Sequence, residues 1–163
     1  MIATMKTVFS DTGAAAACPQ RKRLPHEIPG WVTQGARHFV TINARERKVA
    51  PFAAPAVAVA LLRNLLAYES TGTWYIWVGV VMPDHIHFIA TFDLAGGLSD
   101  RMRAWKSYQA KRLKIAFQSG FFEHRLRSDD EFAEKAEYIR QNPVRRGLVD
   151  DAADWPYRVD RIR

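Results

Sequence analysis

The chain predicts an α+β fold, a split β-α-β sheet with helices packed against it. Three observations carry that expectation. Two β-rich runs, Trp74 to Met82 and His85 to Phe92, are joined through Met82-Pro83-Asp84, so the second must return on the first as an antiparallel partner. Two stretches with apolar residues at helical spacing, one from Ala56 to about Ser70 and one opening at Leu98-Ser99, flank that pair. Side chains on a strand alternate between faces, so Ile86, Phe88, Ala90 and Phe92 form one wholly apolar face suited to cover by helices.

In chain order, residues 1–35 read as a flexible basic N-terminal arm. Pro19, Pro25, Pro29 and Gly30 interrupt regular structure there. Arg21, Lys22 and Arg23 add a basic cluster, either a solvated arm or a phosphate contact. Residues 36–163 form one domain. It begins with the alternating β-rich run His38 to Asn43, a first strand, followed by a charged loop. The first helix is entered past Pro55 and carries Val57, Leu61, Leu65 and Tyr68 on one stripe, with Gly72 shortly after its end. The strand pair follows, and Ala95-Gly96-Gly97 ends it. A second helix takes Ser99 or Asp100 as its cap. Phe121 to Leu126 is a short final strand, and Ser128 or Asp129 caps a third helix whose apolar line is Phe132, Ala136 and Ile139. Asn142-Pro143 is expected to stop that helix. The order β-α-β-β-α-β, then α, is that of a ferredoxin-like sheet with a C-terminal helix.

Composition narrows the function. At 163 residues, 48% hydrophobic and 12% aromatic, the chain buries a real core and is not disordered as a whole. Lys and Arg outnumber Asp and Glu by 24 to 17, a net charge of +7 that favours a polyanionic partner, nucleic acid before a membrane surface. A single cysteine, Cys18, excludes an intrachain disulfide framework and suits a reducing cytoplasm. The apolar window Ala53 to Leu62 contains Pro55 and meets Arg63, far short of a membrane span, and no targeting segment is apparent, so no membrane partner is expected.

Chemistry concentrates at two places. His85 and His87 lie side by side on the face opposite the apolar one, where two imidazoles can hold one divalent ion if a third ligand comes from elsewhere. The bland alternative is a loop-capping His and a surface His. The second helix holds Arg101, Arg103, Lys106, Lys111, Arg112 and Lys114, with Tyr108 off its apolar stripe of Leu98, Met102, Trp105, Leu113 and Ala116. A phenol amid that charge can attack a phosphate; otherwise Tyr108 packs beside Trp105. Tyr68, Tyr75, Tyr138 and Tyr157 read as packing residues. Together these features suggest that an ion held by His85 and His87 positions a phosphodiester and that Tyr108 attacks it, leaving a phosphotyrosine and a free 3′-hydroxyl. No carboxylate dyad or Ser-His-Asp set competes.

A strand carrying His-hydrophobe-His, followed by a helix with a Tyr in basic surroundings, resembles the HUH single-tyrosine transposases, and more narrowly the REP-associated tyrosine transposases. The matching features are Arg23-Leu24-Pro25-His26 through Phe39-Val40-Thr41, the block Val81-Met82-Pro83-Asp84-His85-Ile86-His87, Lys106-Ser107-Tyr108, and the block Tyr138 to Val149 with its Asn142-Pro143-Val144-Arg145-Arg146-Gly147. The resemblance implies a ferredoxin-like fold, dependence on Mg²⁺ or Mn²⁺, and cleavage of single-stranded DNA near short palindromic hairpins through a covalent 5′-phosphotyrosine. It also implies a further polar metal ligand one turn beyond the tyrosine. Beyond Tyr108 that position is Arg112, which cannot bind a metal; Gln109 and Asp84 are the leading candidates, with Glu123 and His124 behind them. Arg145 and Arg146 belong either to a helix end that packs the tail or to the DNA contact. The enzyme would be a monomer or a homodimer, with Tyr108 acting in its own subunit or in its partner. The alternatives are a domesticated DNA-binding module without catalysis and a metal-dependent phosphodiesterase that uses water.

Overall fold

The computed structural model describes residues 35–93 and 97–162. The basic arm with Arg21, Lys22 and Arg23, and Cys18, lie outside the described residues. Strand β1 (Arg37–Asn43) leads through a short 3-10 turn to helix α1 (Pro55–Ala67). Strands β2 (Trp74–Val81) and β3 (His85–Phe92) follow, then α2 (Leu98–Leu113), β4 (Phe122–Arg125), α3 (Asp129–Arg145) and β5 (Arg158–Asp160). The sheet order is β4-β1-β3-β2-β5 with every neighbouring pair antiparallel, so the first four strands make the expected ferredoxin-like arrangement. The three-residue β5, which no sequence signal announced, extends the sheet beyond β2.

Each face of the sheet has its own cover. Val40, Ile42, Ile76, Ile86, Phe88, Ala90 and Phe92 pack against Leu61 and Leu65 of α1 and Leu98, Met102 and Trp105 of α2. Phe39, Val78, Val80 and Ile89 pack on the other face against Phe132, Ala136 and Ile139 of α3. Pairing of β1 with α1 and β3 with α2 by right-handed crossovers places both of those helices on one side. Leu61 and Leu65 are fully buried, and truncating either to Ala costs about 2–5 kcal/mol. Trp74 fixes the angle of α1 by donating its indole N–H to the Leu65 carbonyl at 2.8 Å. Gly79 lets β2 and β3 close up, since a Cβ there would stand 3.1 Å from Phe88 Cβ.

Two local expectations change, at the second helix and at the end of the third, and one open choice, the cap of the third, is decided. The second helix is capped by Gly97 rather than Ser99 or Asp100, and it ends at Leu113, where Lys114 turns left-handed. The α3 N-cap is Ser128, whose hydroxyl accepts from the Glu131 amide at 3.1 Å. That helix runs through Pro143 to Arg145 instead of stopping before it. A proline in the last turn forfeits one N–H, and the end is closed by Arg146, Gly147 and Leu148 amides bonding back to Asn142, Val144 and Pro143 carbonyls. Among the described residues no helix is long and apolar enough to cross a membrane.

Candidate active site on the α3 face

The loop between β2 and β3 is held rigidly: the Met82 amide bonds to the His85 carbonyl, while the Pro83 and Asp84 carbonyls accept from Phe52 and Ala44. From there His85 and His87 project on the α3 face, with ring centroids 4.4 Å apart and planes at 73°. Both are buried, and each has its Nδ1 engaged: His85 with Asp84 Oδ1 at 2.6 Å, His87 with Thr41 Oγ1 at 2.8 Å. A carboxylate can only accept here, so His85 carries its proton on Nδ1, and Thr41 allows His87 the same tautomer. Among the described residues neither Nε2 has a hydrogen-bond partner. Orienting one ring nitrogen and leaving the other open is how metal-ligating imidazoles are prepared.

Electrostatics agree. Burial, followed by the neighbouring His85, pushes His87 down to about 3, so its ring is neutral at ordinary pH with a lone pair available. Burial also lowers His85, against the opposing pull of Asp84. For Asp84 burial pushes upward, but bonds from His85 and Arg47 outweigh it and hold the carboxyl below its usual range. Arg47 donates to Asp84 Oδ2 at 2.7 Å, and Arg146 approaches both oxygens at 3.4 Å. Asp84 is thus occupied as the brace of His85, not as a third ligand.

Tyr138 completes the group. Its ring meets His87 edge-on at 5.5 Å and Phe39 at 6.1 Å, and Phe39 in turn stacks on His87 at 5.3 Å. The residue is 36% exposed, and the Arg145 guanidinium lies 5.2 Å from the ring centre. One helical turn further, Asn142 is buried and, among the described residues, its Oδ1 has no hydrogen-bond partner. A buried amide oxygen left unpaired costs about 1–3 kcal/mol, so such a group calls for a functional account. Among the described residues no three His, Cys, Asp or Glu side chains gather as a metal set. Asn142, on the same helix as Tyr138, carries an oxygen of another kind.

The structure does not bring Tyr108 to the imidazoles. It sits on α2, in the opposite layer, 47% exposed, with Arg112 Nη1 3.3 Å from its hydroxyl. Gln109 is fully buried between α2 and α1, where its amide donates to Asn64, and cannot reach the histidines across the sheet. Glu123 points to the same far face and binds His38 Nδ1 at 2.5 Å. His124 is on the near face but is paired with Glu131 of α3. Two of the basic residues of α2 are spent internally: Arg101 on the Thr73 carbonyl and Asp93, Lys106 on the Gln118 and Gly120 carbonyls. Arg103, Lys111 and Arg112 remain exposed, Arg103 beside Asp100. Arg145 and Arg146, by contrast, stand at the histidines and Tyr138. The signal for Tyr138 and Asn142 is present in the sequence, as a tyrosine off the apolar line of its helix with a polar residue one turn on.

No protein-family model matches the chain. A REP-associated tyrosine transposase of Escherichia coli (strain K12) is 29% identical over 137 residues, 80% of each chain. A putative REP-associated tyrosine transposase of Haemophilus influenzae is 30% identical over 111 residues, 56% of this chain and 63% of that one. A solved REP-associated tyrosine transposase bound to a REP hairpin superimposes with a TM-score of 0.67 at 27% identity, over 81% of both chains. The chain is a relative of the REP-associated tyrosine transposases. Kinship to these transposases extends to fold as well as sequence, and the resemblance first carried by short motifs holds for most of the chain.

Proposed function

We propose that the chain is a metal-dependent single-strand DNA endonuclease and strand transferase acting at hairpin sequences, with Tyr138 as its nucleophile. One observation supports this above the rest. An exposed phenol stands edge-on to His87, one of an imidazole pair whose Nε2 atoms are open, and a buried amide oxygen with no partner among the described residues follows one turn later on the same helix. The REP hairpin held by the solved relative suggests the substrate class.

His85 Nε2, His87 Nε2 and Asn142 Oδ1 would hold a Mg²⁺ or Mn²⁺ ion: two pre-oriented neutral nitrogens and one hard oxygen, with positions left for phosphate oxygens and water. A divalent ion bound there neutralises charge on the non-bridging oxygens of a phosphodiester. Tyr138 Oη attacks phosphorus; the Oη–P bond forms as the P–O3′ bond breaks. The phenol gives up its proton and the departing 3′ oxygen takes one up, leaving a 5′-phosphotyrosine and a 3′-hydroxyl. Arg145, over the Tyr138 ring, places positive charge where the phenolate and phosphate charge collect. Bonds from His85 and Arg47 keep Asp84 ionised, and Asp84 fixes the His85 ring through Nδ1, leaving its Nε2 open to a ligand. Because a bound 3′-hydroxyl can attack back, rejoining needs no water-activating base.

The test is to incubate the protein with a labelled hairpin oligonucleotide and Mn²⁺, isolate any DNA-linked protein on a denaturing gel, and digest it with trypsin. The expected adduct lies on the peptide Ala136–Arg140, which contains Tyr138. An adduct on Ser107–Lys111 would transfer the role to Tyr108 of a partner subunit. Cleavage without an adduct would mean water attack, and binding without cleavage a DNA-binding module.

A further inference from the structure

Two adjacent phenylalanines at the start of strand β4 have different fates. Phe121 is half-buried and packs on the α1/α2 core. Phe122 points to the other face and is 51% exposed. A single exposed aromatic is ordinary on a protein surface. The position of this one is not. Phe122 is paired across β1 with Thr41, which lies opposite His87 in the next strand and bonds to its ring. Its ring meets Phe39 edge-on at 6.2 Å, and Phe39 is the ring that also touches His87 and Tyr138. Phe122 is therefore the open end of a chain of aromatic contacts that runs through Phe39 to the proposed nucleophile Tyr138 and to His87.

We infer that Phe122 is a stacking platform for a nucleobase next to the phosphate that Tyr138 attacks, and that it selects unpaired DNA there. The inference rests on the functional reading above and adds to it the contact made by the base. Aromatic side chains beside a cationic backbone track are how proteins hold single strands, because every base offers a π-face and none is required in particular. The cationic track is present: Arg145 and Arg146 are exposed at the end of α3, beside Tyr138 and Asp84. Phe122 lies on the edge strand of the sheet, so among the described residues no element stands in the way of a base approaching its free face. In a duplex that base is stacked on its neighbours; a base turned onto Phe122 has exchanged a neighbour for the ring.

The experiment uses the full chain carrying Y138F, which binds but cannot link to DNA, and a fluorescein-labelled hairpin oligonucleotide with single-stranded flanks. An abasic nucleotide is moved stepwise through the flanks, and affinity is measured for Phe122, F122W, F122L and F122A proteins. Expected is a loss of roughly 5- to 100-fold for F122A, near-retention for F122W, and a substantial loss for F122L. At one flank position the abasic substitution should cost as much as F122A, with no further loss when both are made. Losses that add at every position, or F122L binding as tightly as the parent, would overturn the inference. The two readings fail separately. An adduct on Tyr138 with no Phe122 effect removes only the platform; the Phe122 pattern without any adduct in the parent protein removes only the chemistry.

Discussion

Tyr138 and Tyr108 occupy equivalent settings on different helices. Each is exposed, each lies off the apolar stripe of its helix, and each has an arginine guanidinium near its ring. What differs is the layer. Tyr138 rides on α3, which covers the histidine face; Tyr108 rides on α2, which covers the other. One turn on from Tyr138 comes a buried amide with an open oxygen, and one turn on from Tyr108 an exposed arginine. Positive surroundings alone do not make a phenol a nucleophile toward a metal-held phosphate; the sheet decides which phenol can be there.

The sharpest way to break that contrast is to remove each hydroxyl. Y138F should abolish the DNA-linked band on a denaturing gel, roughly a thousandfold down or more, while Y108F leaves it within about twofold; the opposite pattern would mean that the far helix acts in another subunit. Next in size is the third donor proposed for the ion. N142A should weaken Mn²⁺ binding, measured by calorimetry on the protein without DNA, by about 10- to 100-fold, and Q109A should not change it beyond any loss of stability. A smaller effect concerns the two arginines at the end of α3. Replacing Arg145 and Arg146 by Ala should lower the slope of log affinity against log salt by about one for each phosphate no longer neutralised. K111A and R112A should leave that slope unchanged for an oligonucleotide too short to wrap around the sheet edge.

The smallest effect belongs to the anchoring of β5. Arg140 grips Asp160 through Nε at 2.6 Å and Nη2 at 3.1 Å. For Asp160 burial acts upward, but the Arg140 bond prevails and holds the carboxyl below its ordinary 3.8. A depressed carboxyl contributes stability that is fully present above the unfolded value and lost as pH falls through the folded one. Urea midpoints should therefore decline below about pH 4, and D160N should remove part of that decline, on the order of 1 kcal/mol or less.

Much of this is readable from the chain. The alternation Ile86, Phe88, Ala90, Phe92 places the helix-covered face and, by exclusion, the histidine face; turn residues and helical spacing place the strand pair and the three helices. The same alternation speaks against Tyr108. In a split β-α-β sheet the two crossover helices share a face, and that face is the one without the His85–His87 pair, which leaves the face of that pair to α3. A dense run of basic residues on α2 points the other way. Arg101 and Lys106, however, serve as internal clasps, a use that composition cannot distinguish from a DNA contact. Asn142-Pro143 reads as a helix stop because local preference opposes a proline there; the tertiary setting keeps the last turn helical. Three residues, Arg158–Asp160, are too few to show a strand period.

Tyr138, Asn142 and Arg145 are mounted on one 17-residue rod about 25 Å long, with Arg146 at its cap, while the imidazoles belong to the middle of the sheet. The rod is tethered at its far end by Arg37 to Asp129 and by the Ser128 cap. Because all four ride on one helix or its cap, their spacing from the two imidazoles is set together, by how that helix seats on the sheet through Phe132, Ala136 and Ile139.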